Sequence, residues 1–329
     1  MISYYSGKFK FCSKVSLTVS DLIIPILVYP RSLKHLIFEI QKGGPILASS
    51  VDEICLLVND LIKYGITDVL LFGLPHKRDQ YGTSAADKSG AVQIATKEIK
   101  RHIGSAVNVI TDVCVCQYNF SGHCGISDNN HENLDNFKSL ALLDKIAISH
   151  ADSGADYVAP SSMMDGQVHS IRESLDSCGF GTVKIMSYSA KHASSLYGPF
   201  RSVAFARSKS RDLAFDKSAY QLSYSNRREA IREIEQDINE GANMVMVKPT
   251  LWYLDLVYEV KKMIDVPLVV QVVSGEYLML LKGEEIGGRI CGKFDELIET
   301  LISVKRAGSD RVVTYIAMDF LKRINKRLS

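Results

Sequence analysis

The chain has 329 residues, of which 46% are hydrophobic and 23% charged, and its formal charge is +2. That length suits one large α/β barrel with extensions, and the composition is that of a globular protein with a full-sized core rather than a disordered or fibrous chain. A nearly neutral charge gives no electrostatic basis for a nucleic-acid or membrane partner, and no uninterrupted apolar run reaches the ~18 residues of a membrane span. Seven cysteines, an odd number without a disulfide-like framework, fit a reducing compartment. No apolar signal segment accompanies Lys8, Lys10 and Lys14, so the expected location is cytoplasmic.

Residues 1–20 are polar and aromatic without a convincing period and read as an arm that contacts another subunit, leaving 21–329 as one catalytic barrel. Beyond the arm, short β-rich runs alternate with longer segments of helical spacing. The runs fall at 23–29, 68–72, 107–116, 156–159, 183–187, 244–248, 268–273 and 312–316. The helices fall at 52–64, 87–102, 135–153, 166–177, 226–240, 253–264 and 294–307. Asn226, with Glu229 three residues later, resembles a capping box, and Gly65, Gly154, Gly241 and Gly308 stand where helices should stop. This alternation predicts an α/β fold, a (β/α)8 TIM barrel with an extended N-terminal arm. An open doubly wound sheet fits less well, because no Gly-x-Gly-x-x-Gly turn follows the first strand. The C-terminal basic residues Lys305, Arg306, Arg311, Lys322, Arg323, Lys326 and Arg327 read as a solvated face.

The stretch DVCVCQYNFSGHCG, residues 112–125, looks like a metal site at a strand end. Alternation along a strand would put Cys114 and Cys116 on one face, and Asn119, Ser121 and Gly122 are turn formers able to bring Cys124 back to them. Three sulfurs favour zinc and leave a coordination position open, as a catalytic ion requires. His123 is either a neighbour that orients a ligand or an ordinary loop residue. The isolated Cys12, Cys55, Cys178 and Cys291 read as small apolar packing residues.

Barrel active sites lie at the C-terminal ends of the strands. Asp112 and the three cysteines, Ser161 and Ser162, Lys191, Lys248, Ser274 and Tyr315 all fall there. Lys248, in NMVMVKP, should be desolvated, and a neighbouring Lys191 in MSYSAK should disfavour its ammonium further, each lysine lowering the other. Free amines so placed can form Schiff bases with ketones. The bland reading is that each lysine pairs with a carboxylate and only stabilises the barrel.

DVCVCQYNFSGHCG, APSSMMDGQV, MSYSAK, YGPFR, GANMVMVKP and VSGEY together closely resemble the porphobilinogen synthase family, the 5-aminolevulinate dehydratases, of the zinc-cysteine type, from about Asp21 onward. The resemblance implies a barrel whose arm clasps a neighbouring subunit, usually in an octamer, and the condensation of two 5-aminolevulinate molecules to porphobilinogen with loss of two waters, on the route to haem. It implies Lys248 and Lys191 as the Schiff-base lysines, Cys114, Cys116 and Cys124 as zinc ligands, and Asp112 and Ser161 as groups where protons move. It further implies Arg201, Lys217 and Gln221 for one substrate carboxylate, Ser274 and Tyr315 for the other, and Phe200 packed over the pocket. Glu233 matches a carboxylate contact of an allosteric magnesium. Departures from the pattern are Ser162 for the common Asp, Lys217 for Arg, Gln271 for Tyr and Asn243 for Asp. Rival readings are a class I aldolase using Lys248 alone and a non-catalytic, zinc-stabilised assembly protein.

Overall fold

Runs of Val, Ile and Leu buried on both faces need cover on both sides, and a parallel sheet sheathed by helices supplies it. The first such run, β1 (Leu22–Tyr29), is buried at every position. The computed structural model describes residues 15–33, 46–128, 133–204, 216–287, 293–315 and 321; the arm residues 1–14 expected from sequence, with Cys12 and Cys291, lie outside them. Leu17 and Val19, at the end of the expected arm, are buried in the barrel core.

The strands after β1 are β2 (Leu47–Ser50), β3 (Asp68–Gly73), β4 (Asn108–Val113), β5 (Tyr157–Pro160), β6 (Lys184–Lys191), β7 (Met244–Lys248), β8 (Leu268–Val272) and β9 (Arg311–Thr314). β1 and β3 to β9 pair in parallel in chain order, and β9 returns to β1 through Leu22↔Val312 and Ile23↔Val313, closing an eight-stranded barrel. The predicted (β/α)8 architecture is therefore present. The additional strand, β2, lies against Ile26–Tyr29 of β1, and its sequence LASS has no apolar run that would mark it.

The helices are α1 (Ile54–Lys63), α2 (Ala91–His102), α3 (Asn136–Asp152), α4 (Gln167–Ser177), α5 (Gly198–Val203), α6 (Arg227–Asn239), α7 (Leu254–Lys261), α8 (Ser274–Gly287) and α9 (Lys293–Ala307). At the start of α6 the Asn226 Oδ1 accepts the Glu229 amide at 3.3 Å, while the return bond runs from the Asn226 side-chain Nδ2, not its backbone amide, to Glu229 Oε2 at 3.1 Å. Gly308 follows α9 with φ +124°, where any side chain would be strained, and a Cβ there would stand 2.8 Å from the Lys261 side chain. α5 and α8 were not expected: α5 is only six residues long, and α8 has no clear amphipathic stripe.

The N-terminal end of the barrel is tied by charge. Arg311 pairs with buried Asp68, whose other oxygen accepts Asn108 Nδ2 at 3.0 Å. Lys305 reaches Asp21 at 3.2 Å. Lys305 and Arg311 are thus structural partners rather than parts of a solvated face, whereas Arg306 is exposed as expected and Lys322, Arg323, Lys326 and Arg327 lie outside the described residues. Ions held there stabilise the closure and leave the opposite mouth for chemistry. Replacing Arg311 with Leu strands the Asp68 charge, so the unfolding free energy should fall by about 3 kcal/mol, read as a lower urea midpoint, with Arg311→Lys recovering part of it.

Candidate active site

β4 ends at Val113, so Cys114 and Cys116 lie in the loop beyond it and not on one strand face, which corrects the strand reading. A tight turn does the work that alternation was expected to do. The Tyr118 and Asn119 amides both donate to the Val115 carbonyl, at 2.9 and 3.0 Å. Asn119 then pins the return: its Oδ1 accepts the Gly122 amide at 2.7 Å and its Nδ2 donates to the His123 carbonyl at 2.9 Å. Cys124 is thereby brought back, and the three sulfurs lie within 4.8 Å of one another, with Cys114 and Cys116 at 3.2 Å.

This donor set fits a soft divalent cation. Burial pushes the Cys114 thiol well up, whereas hydrogen bonds from Cys114 and Cys116, with the charge of Lys217, hold Cys124 well below the usual thiol range. Lys217 Nζ stands 3.9 Å from Cys124 Sγ. Three buried sulfurs repel as thiolates, and a metal ion relieves that repulsion. His123 is buried; its Nδ1 lies 3.3 Å from the Tyr220 hydroxyl, which also accepts the Cys124 amide at 3.2 Å. The histidine ring therefore lies against Tyr220, which also holds the Cys124 backbone.

β6 delivers Lys191 by an irregularity. Its pairing with β7 shifts from Ser187↔Val245 to Ala190↔Val247, one extra residue on β6. This bulge lets Tyr188 and Lys191, an odd number of residues apart, both face the barrel mouth, while Ser187 turns outward to donate to Asp237 of α6 at 2.6 Å. The buried Tyr188 ring lies 5.9 Å from Lys191 Nζ and 5.0 Å from Lys248 Nζ. A second ring, Tyr197, lies 5.2 Å from Lys248 Nζ.

The two amines differ in charge. Burial and the nearby Lys191 charge lower Lys248 to about 7. Lys191 is equally buried, yet the sulfurs of Cys124, Cys114 and Cys116 and the Asp112 carboxylate outweigh that burial and hold it above its ordinary value. The expectation that each lysine lowers the other therefore holds for Lys248 alone. Lys191 donates to the Ser161 carbonyl. Burial raises Asp112 against the opposing effects of Ser161 and Lys191, and Gln117 Nε2 donates to its Oδ2 at 3.2 Å.

One pocket gathers Asp112, Cys116, Cys124, Ser161, Lys191, Phe200, Arg201, Lys217, Gln221, Lys248, Ser274 and Tyr315, with Cys114 buried beside it. Arg201 donates to Gln221 Oε1 at 3.3 Å and stacks 4.8 Å from the Tyr197 ring. Phe200 meets Phe72 edge-on at 4.9 Å. Ser162 is fully buried outside the pocket lining, so its departure from Asp does not change a pocket wall. Gln271 hydrogen-bonds Tyr315, and Asn243 Oδ1 accepts the Ile185 amide at 2.8 Å. Glu233 lies elsewhere, half-buried on α6 in a cavity with Asp165, Glu229 and Asp237 that meets the pocket at Gln221. A roomier cavity of about 620 Å³ beside His192 and Trp252 lacks the converging amines and thiols, so size does not identify the site. Of the isolated cysteines, Cys55 is half-buried and Cys178 is exposed, which removes Cys178 from the packing set.

Sequence reasoning missed Gln117, Tyr188, Tyr197 and Tyr220. The tyrosines in MSYSAK and YGPFR were visible as letters, but only the bulge and the α5 approach turn their rings toward the amines.

A family model described as delta-aminolevulinic acid dehydratase matches residues 8–323. The chain is 44% identical over 312 residues to the delta-aminolevulinic acid dehydratase of Methanothermus sociabilis, covering 94% of this chain and 93% of that one. It is 41% identical over 309 residues to that of Staphylococcus epidermidis, covering 93% and 92%. A crystal structure of delta-aminolevulinic acid dehydratase (porphobilinogen synthase) from Toxoplasma gondii ME49, in complex with the reaction product porphobilinogen, matches with a TM-score of 0.85 at 35% identity, covering 94% of this chain and 86% of that one.

With its amine at about 7, Lys248 should react with limiting acetic anhydride at a rate that rises through pH 7 and levels off above pH 8, as peptide mapping would show. Removing the neighbouring charge in Lys191→Met should move that midpoint upward.

Proposed function

Because the chain belongs to the delta-aminolevulinic acid dehydratase family, we propose that its pocket condenses two 5-aminolevulinate molecules to porphobilinogen and two waters, with the ketones activated as imines on Lys248 and Lys191. The chain is an enzyme, a lyase with porphobilinogen synthase activity. The observation that carries the lysine chemistry is the shared pocket itself: a buried amine at about 7 beside a second, charged one, both facing the Tyr188 ring.

In this reading Lys248, free near neutral pH, attacks the ketone carbon of the first substrate, and loss of water leaves an imine. Asp112, raised by burial, takes up and returns the protons of that step beside Ser161. Lys191 starts as the ammonium and gives its proton to Asp112 before forming the second imine. Arg201, Lys217 and Gln221 receive one substrate carboxylate, Ser274 and Tyr315 receive the other, and Phe200 closes over them. Lys217 supplies a point charge shared with Cys124 rather than a bidentate fork. Zinc held by Cys114, Cys116 and Cys124 would supply a Lewis acid for the second substrate.

Glu233, with Asp165 and Asp237 nearby, is the proposed magnesium position; burial first and the neighbouring carboxylates second raise its carboxyl group, and a cation would reverse that cost. The residues ahead of Leu17, which is itself buried in the barrel core, are assigned as the subunit-clasping arm of a homo-octamer, and the enzyme to a cytoplasmic route to haem. Among the described residues no helix is long and apolar enough to cross a membrane. A class I aldolase would use Lys248 and leave the three sulfurs idle. An assembly protein would gain stability from zinc and turn over nothing.

Incubation with 5-aminolevulinate and zinc, followed by borohydride, should give porphobilinogen and a reduced adduct on Lys248. No product together with no adduct would overturn the reading. Cys114→Ala should bind less than one zinc per chain and lose roughly 100-fold or more in turnover; undiminished product in that variant would remove only the zinc role.

A further inference from the structure

The first three residues of α8 hold two walls of the pocket, Ser274 and Gly275 one and Glu276 the other. Ser274 Oγ accepts the Phe200 amide at 3.0 Å, docking the segment that carries Phe200 and Arg201. Gly275 lies flat on the 3-10 turn Ser195–Tyr197 that leads into α5: a Cβ there would stand 2.4 Å from the Leu196 carbonyl oxygen and 2.7 Å from its Cα. Both are backbone atoms, which cannot swing aside.

Glu276 is 1% exposed and accepts three main-chain N–H groups. Its Oε1 takes the Thr250 and Leu251 amides at 2.9 and 2.6 Å, and its Oε2 takes the Val273 amide at 2.7 Å. Thr250 and Leu251 follow Lys248 directly after Pro249, and Val273 lines the pocket. Between Lys248 and Pro249, the Lys248 carbonyl accepts the His192 amide at 2.9 Å and the Tyr197 hydroxyl at 3.1 Å. The backbone that leaves Lys248 is therefore held at its own carbonyl and again at the two amides after Pro249.

We propose that Ser274, Gly275 and Glu276 form a clamp that sets the reactive amine of Lys248 in register with the Phe200–Arg201 segment, with Glu276 as the positioning residue for Lys248 and Gly275 as the positioning residue for that segment. A carboxylate offers only acceptors to three donors converging on it. A glutamine presents its NH2 to at least one of those amides, leaving a buried donor facing a donor. A shorter aspartate keeps the acceptors and the charge. The role is geometric, and displacements of about 1 Å in such a frame cost up to ~100-fold in rate.

The inference rests on the lysine chemistry proposed above, and the test separates the two. Wild type, Glu276→Gln, Glu276→Asp and Gly275→Ala are assayed for kcat, KM and the rate of borohydride-trapped adduct on Lys248, each after circular dichroism shows native helix content. Glu276→Gln should lose roughly 10- to 100-fold in kcat and in adduct rate with KM little changed, and Glu276→Asp should recover most of the loss. Gly275→Ala should raise KM about tenfold while its adduct rate at saturating substrate stays within twofold of wild type. A wild type that reacts while folded Glu276→Gln and Gly275→Ala match it in both kcat and KM overturns the clamp alone. A wild type that forms no Lys248 adduct overturns the lysine assignment and this inference with it.

Discussion

Two lysine side chains brought to one buried pocket, beside a buried aspartate and a cluster of three cysteine sulfurs, form the electrostatic arrangement on which the rest of the site depends. Burial alone would discharge both amines, and mutual repulsion would do so faster. The sulfurs and Asp112 break that symmetry by favouring the ammonium at Lys191 and leaving Lys248 as the amine released near neutral pH. A shared tyrosine face softens the desolvation of both without offering either a proton acceptor. Chemically identical side chains thus differ in charge because of their surroundings.

That arrangement needs precise backbone delivery, and the barrel supplies it at points where regular structure stops. β6 carries an extra residue so that Tyr188 and Lys191 face one way. The loop after β4 folds on Asn119 so that Cys124 returns to Cys114 and Cys116. The start of α8 gathers the ends of β7 and β8 and the approach to α5 through a hydroxyl, an absent side chain and a carboxylate. The opposite end of the barrel is closed by Arg311 and Asp68, so the polar groups at the two ends of the strands serve different purposes.

The departures from the family pattern also separate by position. Ser162 and Asn243 lie outside the pocket lining, the latter tying β6 to the entry of β7 through the Ile185 backbone. Gln271 reaches the pocket only through Tyr315. Lys217 is different: it stands in the wall and 3.9 Å from Cys124, so the arginine-to-lysine exchange alters one residue that faces both the pocket and the sulfurs.

What the sequence by itself determined was the class of fold and the chemically scarce residues that the fold gathers into one pocket. Strands buried on both faces and capped helices are local patterns, and they were read to within a few residues for β1, β7, α3 and α6; the cysteine cluster and the two lysines were legible because their residue types are chemically scarce in apolar strand ends. β2 and α8 escaped because LASS and SGEYLMLLKGEEIG carry no periodic apolar signal of their own and are stabilised by what they pack against. Only the tertiary structure decided that Cys114 and Cys116 meet in a turn rather than on a strand, that Lys191 keeps its proton while Lys248 sheds its own, and that Glu276 binds three amides from two separate strand ends. A bulge, a charge balance and a carboxylate's donors are set by neighbours distant in sequence, and no local pattern encodes them.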